Sequence, residues 1–206
     1  MRDLLVATTN KHKLREFAEI ISRDRYRVRS ASDVLAPVPV VVEDGVTFAE
    51  NAHKKAAAIA RESMCLTIAD DSGLEVDALR GAPGVYSARF SGEGATDASN
   101  RAELVRRLRS LGGERRFLAR FRCALCLVDP FASGPGGLIE VDGTCEGVVV
   151  LEERGTEGFG YDALFIPEGY DKTFAELPAA VKHTLSHRGR ALTALLARLS
   201  STPGTQ

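Results

Sequence analysis

No run of apolar residues in this chain approaches the roughly 18 needed to span a bilayer. The opening residues Met1-Arg2-Asp3-Leu4-Leu5-Val6-Ala7 carry too short an apolar stretch for a secretory leader before a strand-like pattern begins. A cytoplasmic location without a membrane partner is expected. Charge of one sign is also missing. The 27 Lys and Arg against 28 Asp and Glu leave a formal net charge of −1. Without a cationic surplus the chain is not built to coat a nucleic-acid polymer by displacing counterions. The same balance, with 44% hydrophobic residues, excludes acidic disorder. Cysteine is scarce: Cys65, Cys123, Cys126 and Cys145 are too few and too scattered for a disulfide scaffold. Cys123 and Cys126 form a C-x-x-C pair inside a segment, Phe121 to Val128, that reads as one extended strand. Their sulfurs would then face opposite sides, so buried free thiols are expected rather than a redox or zinc pair. No internal repeat and no linker interrupts the 206 residues. One domain over 1–199, with two lobes and a frayed tail at 200–206, is expected.

What is present alternates between strand and helix signals. Leu4 to Ala7 is a short buried strand pattern, followed by a turn at Thr8-Thr9-Asn10 and a helix over 11–22. Tyr26 to Ser30 reads as a second strand, and Pro37, Pro39 and Gly45 mark a loop. Thr47-Phe48-Ala49-Glu50 has capping-box spacing and opens an alanine-rich helix to about Ser63. Leu66 to Ala69 reads as a buried strand ending in Asp70-Asp71-Ser72-Gly73. A long glycine-punctuated stretch then leads to a helix capped by Thr96 or Asp97 and running through Leu108. Two long strand patterns, 116–128 and 138–151, make an antiparallel hairpin. A glycine loop, a strand at 163–166 and a last helix at 187–200 complete the chain. The pattern predicts an α/β fold on a mixed sheet, because the 116–151 region has no crossover helix.

Four constellations could carry chemistry. Thr8-Thr9-Asn10-Lys11-His12-Lys13 sits where a strand turns into a helix start, a geometry that suits phosphate and equally suits a capped helix with solvated lysines. Asp70-Asp71, at the end of an apolar strand, offers hard oxygen ligands for a cation such as Mg²⁺, or is a simple turn. Glu43-Asp44 is a second acidic pair in a loop. Gly158-Phe159-Gly160-Tyr161-Asp162 presents an aromatic ring with little steric cover that could stack on a base, or be buried in a turn. Lys182 to Arg190 places cations at the start of the last helix, against its dipole, which favours a ligand over a structural reason, the alternative being a solvated basic face.

In this order, Thr8-x-Asn10-x-x-Lys13, Glu43, Ala69-Asp70-Asp71-Ser72-Gly73-Leu74, Gly81-Ala82-Pro83-Gly84-Val85-Tyr86-Ser87-Ala88-Arg89, Gly158 to Asp162 and Ser186-His187-Arg188-Gly189 resemble the Ham1/RdgB-type inosine triphosphate pyrophosphatases. The resemblance runs from about residue 3 to 199. It implies an elongated central mixed, twisted sheet with flanking helices forming two lobes around a cleft. It further implies a homodimer and Mg²⁺-assisted hydrolysis of ITP, dITP and XTP to the monophosphate and pyrophosphate. It assigns Thr8, Thr9, Asn10, Lys11, His12 and Lys13 to the triphosphate. Asp71 becomes general base and metal ligand, with Glu43 as a second ligand and Asp70 as a further candidate. Ser72 touches substrate, and Phe159, Gly160, Tyr161, Asp162, Lys182, His187 and Arg188 hold base and sugar. The sequence departs from the family pattern at His12, where Gly is usual, at Ala163, where Pro is usual, and at Cys145-Glu146-Gly147, usually more aromatic. These departures bear on substrate preference rather than reaction class.

Hypoxanthine and xanthine carry a 6-oxo acceptor and an N1–H donor, which adenine reverses. Donors from Ser186-His187-Arg188 would meet O6, and Asp162 or a backbone carbonyl would meet N1–H. Adenine would leave both protein groups unpaired, at about 1–3 kcal/mol each. Guanine shares both groups and must be rejected at its 2-amino substituent. Two other readings share parts of this pattern. One is a Maf-type pyrophosphatase acting on pyrimidine or modified nucleotides, against which the Phe159 and His187-Arg188 segments argue. The other is a non-catalytic nucleotide sensor, which has no need of an acidic pair beside phosphates.

Overall fold

The structure, a computed structural model, describes residues 2–21, 25–113, 115–132 and 137–201. Among these residues the elements run β1 (Arg2–Val6), α1 (Lys11–Ile20), β2 (Tyr26–Ser30), α2 (Phe48–Ser63), β3 (Leu66–Val76), α3 (Asp97–Leu111), β4 (Arg116–Val128), β5 (Leu138–Val150), β6 (Phe165–Pro167), α4 (Ala179–Leu185) and α5 (His187–Ser201). The strands form one six-stranded sheet in the order β2-β1-β3-β4-β5-β6. β1 lies parallel to β2, from Arg2↔Tyr26 to Val6↔Ser30, and parallel to β3, from Leu4↔Leu66 to Val6↔Ile68. β6 runs antiparallel to β5, so the sheet is mixed, as the sequence predicts. No helix among the described residues is long and apolar enough to cross a membrane.

The chain divides into two compact units, Met1–Asp71 with Cys123–Gly143 and Gly189–Gln206, and Ser72–Arg122 with Thr144–Arg188. In the first, alternate residues of β1 serve opposite faces of the sheet. Leu4 and Val6 pack with Phe17, Leu192 and Leu195, while Leu5 and Ala7 pack with Ala52, Ala56 and Ile59. Small side chains on α2 let its backbone lie close to β1 and β3, where larger ones would hold it off. β4 divides in the same way: Cys123 joins the first cluster and Cys126 the second. The expected opposite orientation of these two buried free thiols is therefore observed.

In the second unit the core is built around aromatic rings. Phe121 meets Phe165 edge-on at 4.7 Å between centroids, and Phe174 lies 6.0 Å from Phe121 and 5.2 Å from Phe165. Each such pair adds about 0.5–1.5 kcal/mol beyond its burial. The long glycine-rich stretch is tied to this unit by Ser87. Its Oγ donates to the Gly84 carbonyl (2.7 Å) and accepts the Leu74 N–H (3.0 Å).

Several sequence expectations are corrected. β3 does not stop at Ala69 but runs on to Val76, so Asp70-Asp71-Ser72-Gly73 lies within a strand and not at a turn. Turn propensity yields there to pairing inside a sheet and to charged partners for both carboxylates. Lys182 does not belong to the last helix but to α4, a separate seven-residue helix. At α2 Thr47 caps the Glu50 N–H as predicted (3.2 Å), but the Glu50 carboxylate accepts from Val46 (2.8 Å), one residue further back than a capping box requires. α1 ends at Ile20, with Ser22 outside the described residues, as are residues 133–136 of the hairpin turn. α5 includes Ser200 and Ser201, and the rest of the predicted tail also lies outside.

Gly147 pairs with Pro167 at the β5–β6 seam, where an added Cβ would run into the Ile166 carbonyl and the Phe165 ring. Gly147→Ala is expected to lower stability by roughly 1–3 kcal/mol, read as a fall in Tm of about 2–4 °C per kcal/mol by calorimetry. An unchanged Tm would mean that β6 does not close this tightly on β5.

Candidate active site

Consecutive residues of a strand point to opposite faces, so Asp70 and Asp71 cannot act as one chelating pair on one side. Both are nonetheless buried, 1% and 8% exposed. Buried carboxylates require partners, and each obtains them from a different helix. Asp70 Oδ2 lies 2.9 Å from Lys13 Nζ, on the first turn of α1. Asp71 Oδ2 accepts the Asn51 Nδ2 amide at 3.1 Å, and Asp71 Oδ1 lies 3.5 Å from Lys55 Nζ. Asn51 and Lys55 are four residues apart on α2 and therefore share a face. Lys55 also donates to Glu43 Oε2 at 2.8 Å, so the loop carboxylate and the strand carboxylate converge on one ammonium.

Asn51 fixes this arrangement twice. Its Oδ1 accepts the Gly45 N–H at 2.8 Å, which locks the amide with Nδ2 turned to Asp71. A Cβ on Gly45 would come within 2.6 Å of that Oδ1. The same side chain thus holds the loop that carries Glu43 and orients the carboxylate of β3. Burial pushes the Asp71 carboxyl above its ordinary value, against the pull of Lys55, Asn51 and Lys13 and with the help of Glu43. Burial weighs against the charge on Lys55, but Asp71, Asp70 and Glu43 outweigh it and hold the ammonium above its usual value.

The start of α1 is capped more completely than the sequence suggests. Asn10 Oδ1 accepts the N–H groups of His12 (2.9 Å) and Lys13 (3.2 Å), and Thr8 Oγ1 accepts the Asn10 N–H (3.1 Å). Two of the N–H groups expected to face phosphate are therefore engaged by the cap. Thr9, Lys11 and His12 are exposed along the same turn.

The remaining predicted residues belong to the second unit. Arg188, 2% exposed, donates from Nη2 to Ser72 Oγ at 2.8 Å. Its guanidinium carbon stands 5.9 Å from the Phe159 ring centre, and Lys182 Nζ stands 5.0 Å from the same ring. Lys182 is paired with Asp162 Oδ2 at 2.7 Å. His187 stacks on Phe121 at 4.8 Å and 11°. Two expectations need revision. Asp162 turns inward: Oδ2 accepts the Phe159 N–H (2.9 Å) as well as Lys182, so it shapes the loop. Gly158, at φ +81°, leaves the space a Cβ would take from that oxygen. Tyr161 is also turned into the core, its hydroxyl donating to the Ser87 carbonyl at 2.8 Å. The ring left half-exposed on this loop is Phe159. Gly160 is held from both sides, its N–H by Asp97 Oδ2 (2.7 Å) and its carbonyl by Arg101 (2.9 Å).

Sequence reasoning missed Asn51 and Lys55, and gave Asp97 only a capping role and Arg101 none. A signal for the first two existed: a polar Asn between the buried alanines of α2, with a Lys one turn on. Nothing local marks Asp97 and Arg101, whose partner lies about 60 residues away along the chain.

Buried carboxylates met by lysines from two helices, on an α/β sheet, form the kind of polar cluster that enzymes keep for a site. The chain belongs to the Ham1 family, whose model matches residues 4–198. It is 49% identical over 189 residues to the dITP/XTP pyrophosphatase of Desulfotalea psychrophila, covering 92% of this chain and 81% of that one. It is 46% identical over 192 residues to the Bacillus anthracis enzyme of the same name, covering 93% of each. Among solved structures, a HAM1 protein from Coxiella burnetii superposes with a TM-score of 0.85 at 34% identity, over 98% of this chain and 100% of that one. A nucleoside-triphosphatase / dITP/XTP pyrophosphatase from Mycobacterium abscessus gives 0.71 at 41% identity, over 94% and 98%.

The raised value at Asp71 has a consequence for stability. A carboxyl whose folded value exceeds its unfolded one contributes stability below the unfolded value and loses it as pH rises through the folded value. At neutral pH ionised Asp71 therefore weighs against the fold. Asp71→Asn is expected to raise the Tm of protein in EDTA at about pH 7 and to leave it unchanged near pH 3, where the wild-type side chain is neutral too. A lower Tm for the variant at neutral pH would mean that Lys55 and Asn51 overcompensate for burial.

Proposed function

We propose that the chain hydrolyses non-canonical purine nucleoside triphosphates (ITP, dITP and XTP) to the nucleoside monophosphate and pyrophosphate, removing them from the nucleotide pool. The observation that carries this reading is the convergence of Glu43 and Asp71 on Lys55, with Asn51 fixing both the loop and the strand. The names of the curated relatives, dITP/XTP pyrophosphatase, support the substrate class.

The donor set fits a hard divalent cation. On the α2 face Glu43 and Asp71 bring two negative charges against the one positive charge of Lys55, and Asp70 on the other face is matched by Lys13. A cluster with a negative surplus repels a polyphosphate unless a cation accompanies it. Glu43 and Asp71 would hold Mg²⁺, and the ion would supply charge neutralisation and a more acidic water, while Asp70, on the opposite face of β3, holds Lys13. The residues of the chain do the rest. Asp71 accepts the proton of the attacking water, its basicity strengthened by burial. Lys55 keeps Asp71 ionised and in place. Lys13 exchanges its Asp70 partner for a phosphate oxygen, and Thr8, Thr9, Asn10, Lys11 and His12 line the turn beside it. In the second unit Phe159 stacks on the base, worth about 1–3 kcal/mol. Arg188, oriented by Ser72, donates to O6; His187 and Lys182 complete the donor set, and Asp162 positions Phe159. Assembly as a homodimer is part of the same reading, checked by sedimentation.

The test is pyrophosphate release from ITP, dITP, XTP, GTP, ATP and TTP, with and without Mg²⁺. ITP, dITP and XTP are expected to exceed the others in kcat/KM, and Asp71→Asn is expected to lose at least about 10³-fold, the upper part of the range for a positioned acid–base group. TTP as the preferred substrate would favour a pyrimidine enzyme, and tight nucleotide binding without pyrophosphate would favour a sensor. Arg188→Ala is expected to narrow the ITP-to-ATP ratio of kcat/KM by about 5–150-fold, the equivalent of 1–3 kcal/mol for one buried group. An unchanged ratio removes Arg188 from base selection.

A further inference from the structure

The geometry points to a second metal site, for a borderline-soft divalent ion such as Zn²⁺, made by His53, Cys126 and Glu140. These residues come from three elements of the first unit: α2, β4 and β5. One ligand atom from each lies within 4.8 Å of the other two. His53 Nδ1 and Glu140 Oε1 are already 3.3 Å apart. A tetrahedral zinc with Zn–S near 2.3 Å and Zn–N and Zn–O near 2.0–2.2 Å separates its ligand atoms by about 3.3–3.7 Å. Closing the trio to that size would take rotations of the exposed His53 and Glu140 side chains.

The backbone explains why the three meet. The hairpin is closed by the Asp129 N–H donating to the Gly137 carbonyl at 2.8 Å. Counting back three residues along each arm sets Cys126 opposite Glu140, and counting on from there to Arg120 and Glu146 meets the observed ion pair of those residues. Cys126 and Glu140 therefore face the same side, where Ala52 and Ala56 of α2 pack beside Cys126. These alanines leave room for the sulfur, and His53 follows Ala52 at the edge of the same helix. His53 and Glu140 keep about half of their side-chain surface in solvent, at 47% and 48%, while Cys126 forms the floor. An ion can thus enter from outside and meet the thiolate last.

The chemistry of the donors separates this site from the carboxylate cluster around Asp71. Sulfur, imidazole and one carboxylate suit zinc, and carboxylate oxygens alone suit magnesium. Binding converts the Cys126 thiol to a zinc thiolate and releases its proton to solvent, with a water completing the coordination. A bound ion would clamp α2 to the β4–β5 hairpin. His53 stands two positions from both Asn51 and Lys55, so the clamp would act on the helix that orients Asp71.

The full-length protein is treated with chelator, exchanged into excess Mg²⁺ to saturate the carboxylate cluster, and titrated with Co²⁺ and then Zn²⁺. One equivalent of Co²⁺ is expected to give a thiolate-to-cobalt charge-transfer band in the near ultraviolet, which Zn²⁺ then abolishes with release of one proton per ion from the metal-free protein. Cys126→Ser is expected to remove the band, and His53→Ala and Glu140→Gln, both at exposed positions, to weaken Zn²⁺ binding at least tenfold. No band, a band that persists in Cys126→Ser, or equal Zn²⁺ affinity in wild type and His53→Ala would overturn the assignment. The His53 variant keeps the test decisive should Cys126→Ser fold poorly.

Discussion

Two adjacent carboxylates buried in the middle of a strand are the constraint around which the first unit is arranged. An isolated buried carboxylate is too costly to persist ionised. Because Asp70 and Asp71 face opposite ways on β3, one helix cannot serve both. α1 must bring Lys13 to one face and α2 must bring Asn51 and Lys55 to the other. The order of strands makes this possible. β1 lies between β2 and β3, parallel to both, so the turn after β1 opens α1 beside the strand that carries the acids. Helix capping then has a functional reading: the Asn10 cap that starts α1 also sets where Lys13 projects.

The second unit solves the opposite problem. Its buried charges include the cations of Lys182 and Arg188, satisfied by Asp162 and Ser72. Neither arrangement is a strong source of stability, because removing two charges from water offsets most of their attraction. What such pairs supply is fixed orientation. Asp162 illustrates it: by accepting from the Phe159 N–H and from Lys182 it binds a loop of two positive-φ glycines to α4 and leaves the Phe159 ring beside two cations. A ring pinned in this way loses little further freedom when a base stacks on it.

How far the sequence could be read follows from the range over which each feature is determined. Elements set by local periodicity and capping emerge within a few residues of their observed bounds, as with α2 from Thr47 and the arms of the β4–β5 hairpin. The ordered motifs resemble the Ham1 family on sequence alone. The errors arise where distant partners decide. Asp-Asp-Ser-Gly has every local mark of a turn, yet strand pairing and two lysines from elsewhere keep it extended. α4 is only seven residues long, too short for its periodicity to stand out. Tyr161 and Asp162 share a motif with Phe159, but the motif does not say which of the three side chains turns inward. The contacts to Ser87 and Lys182 decide that.

The balance at Asp71 shows why burial and pairing have to act together. A carboxylate of ordinary basicity is a poor acceptor for a proton from water. Burial alone would strengthen it, but carried too far would leave it protonated and useless at neutral pH. Lys55 and Asn51 work in the other direction and limit the rise. Lys55 can do so because Asp70, Asp71 and Glu43 together keep it charged despite its own burial. The base and its counter-charge therefore support each other: Lys55 limits the rise at Asp71, and Asp71 is the foremost of the three carboxylates that keep Lys55 charged. That mutual dependence explains why the essential residues are spread over a loop, a helix and a strand: solvent must be excluded from the group at their meeting point, and no single short segment can enclose it.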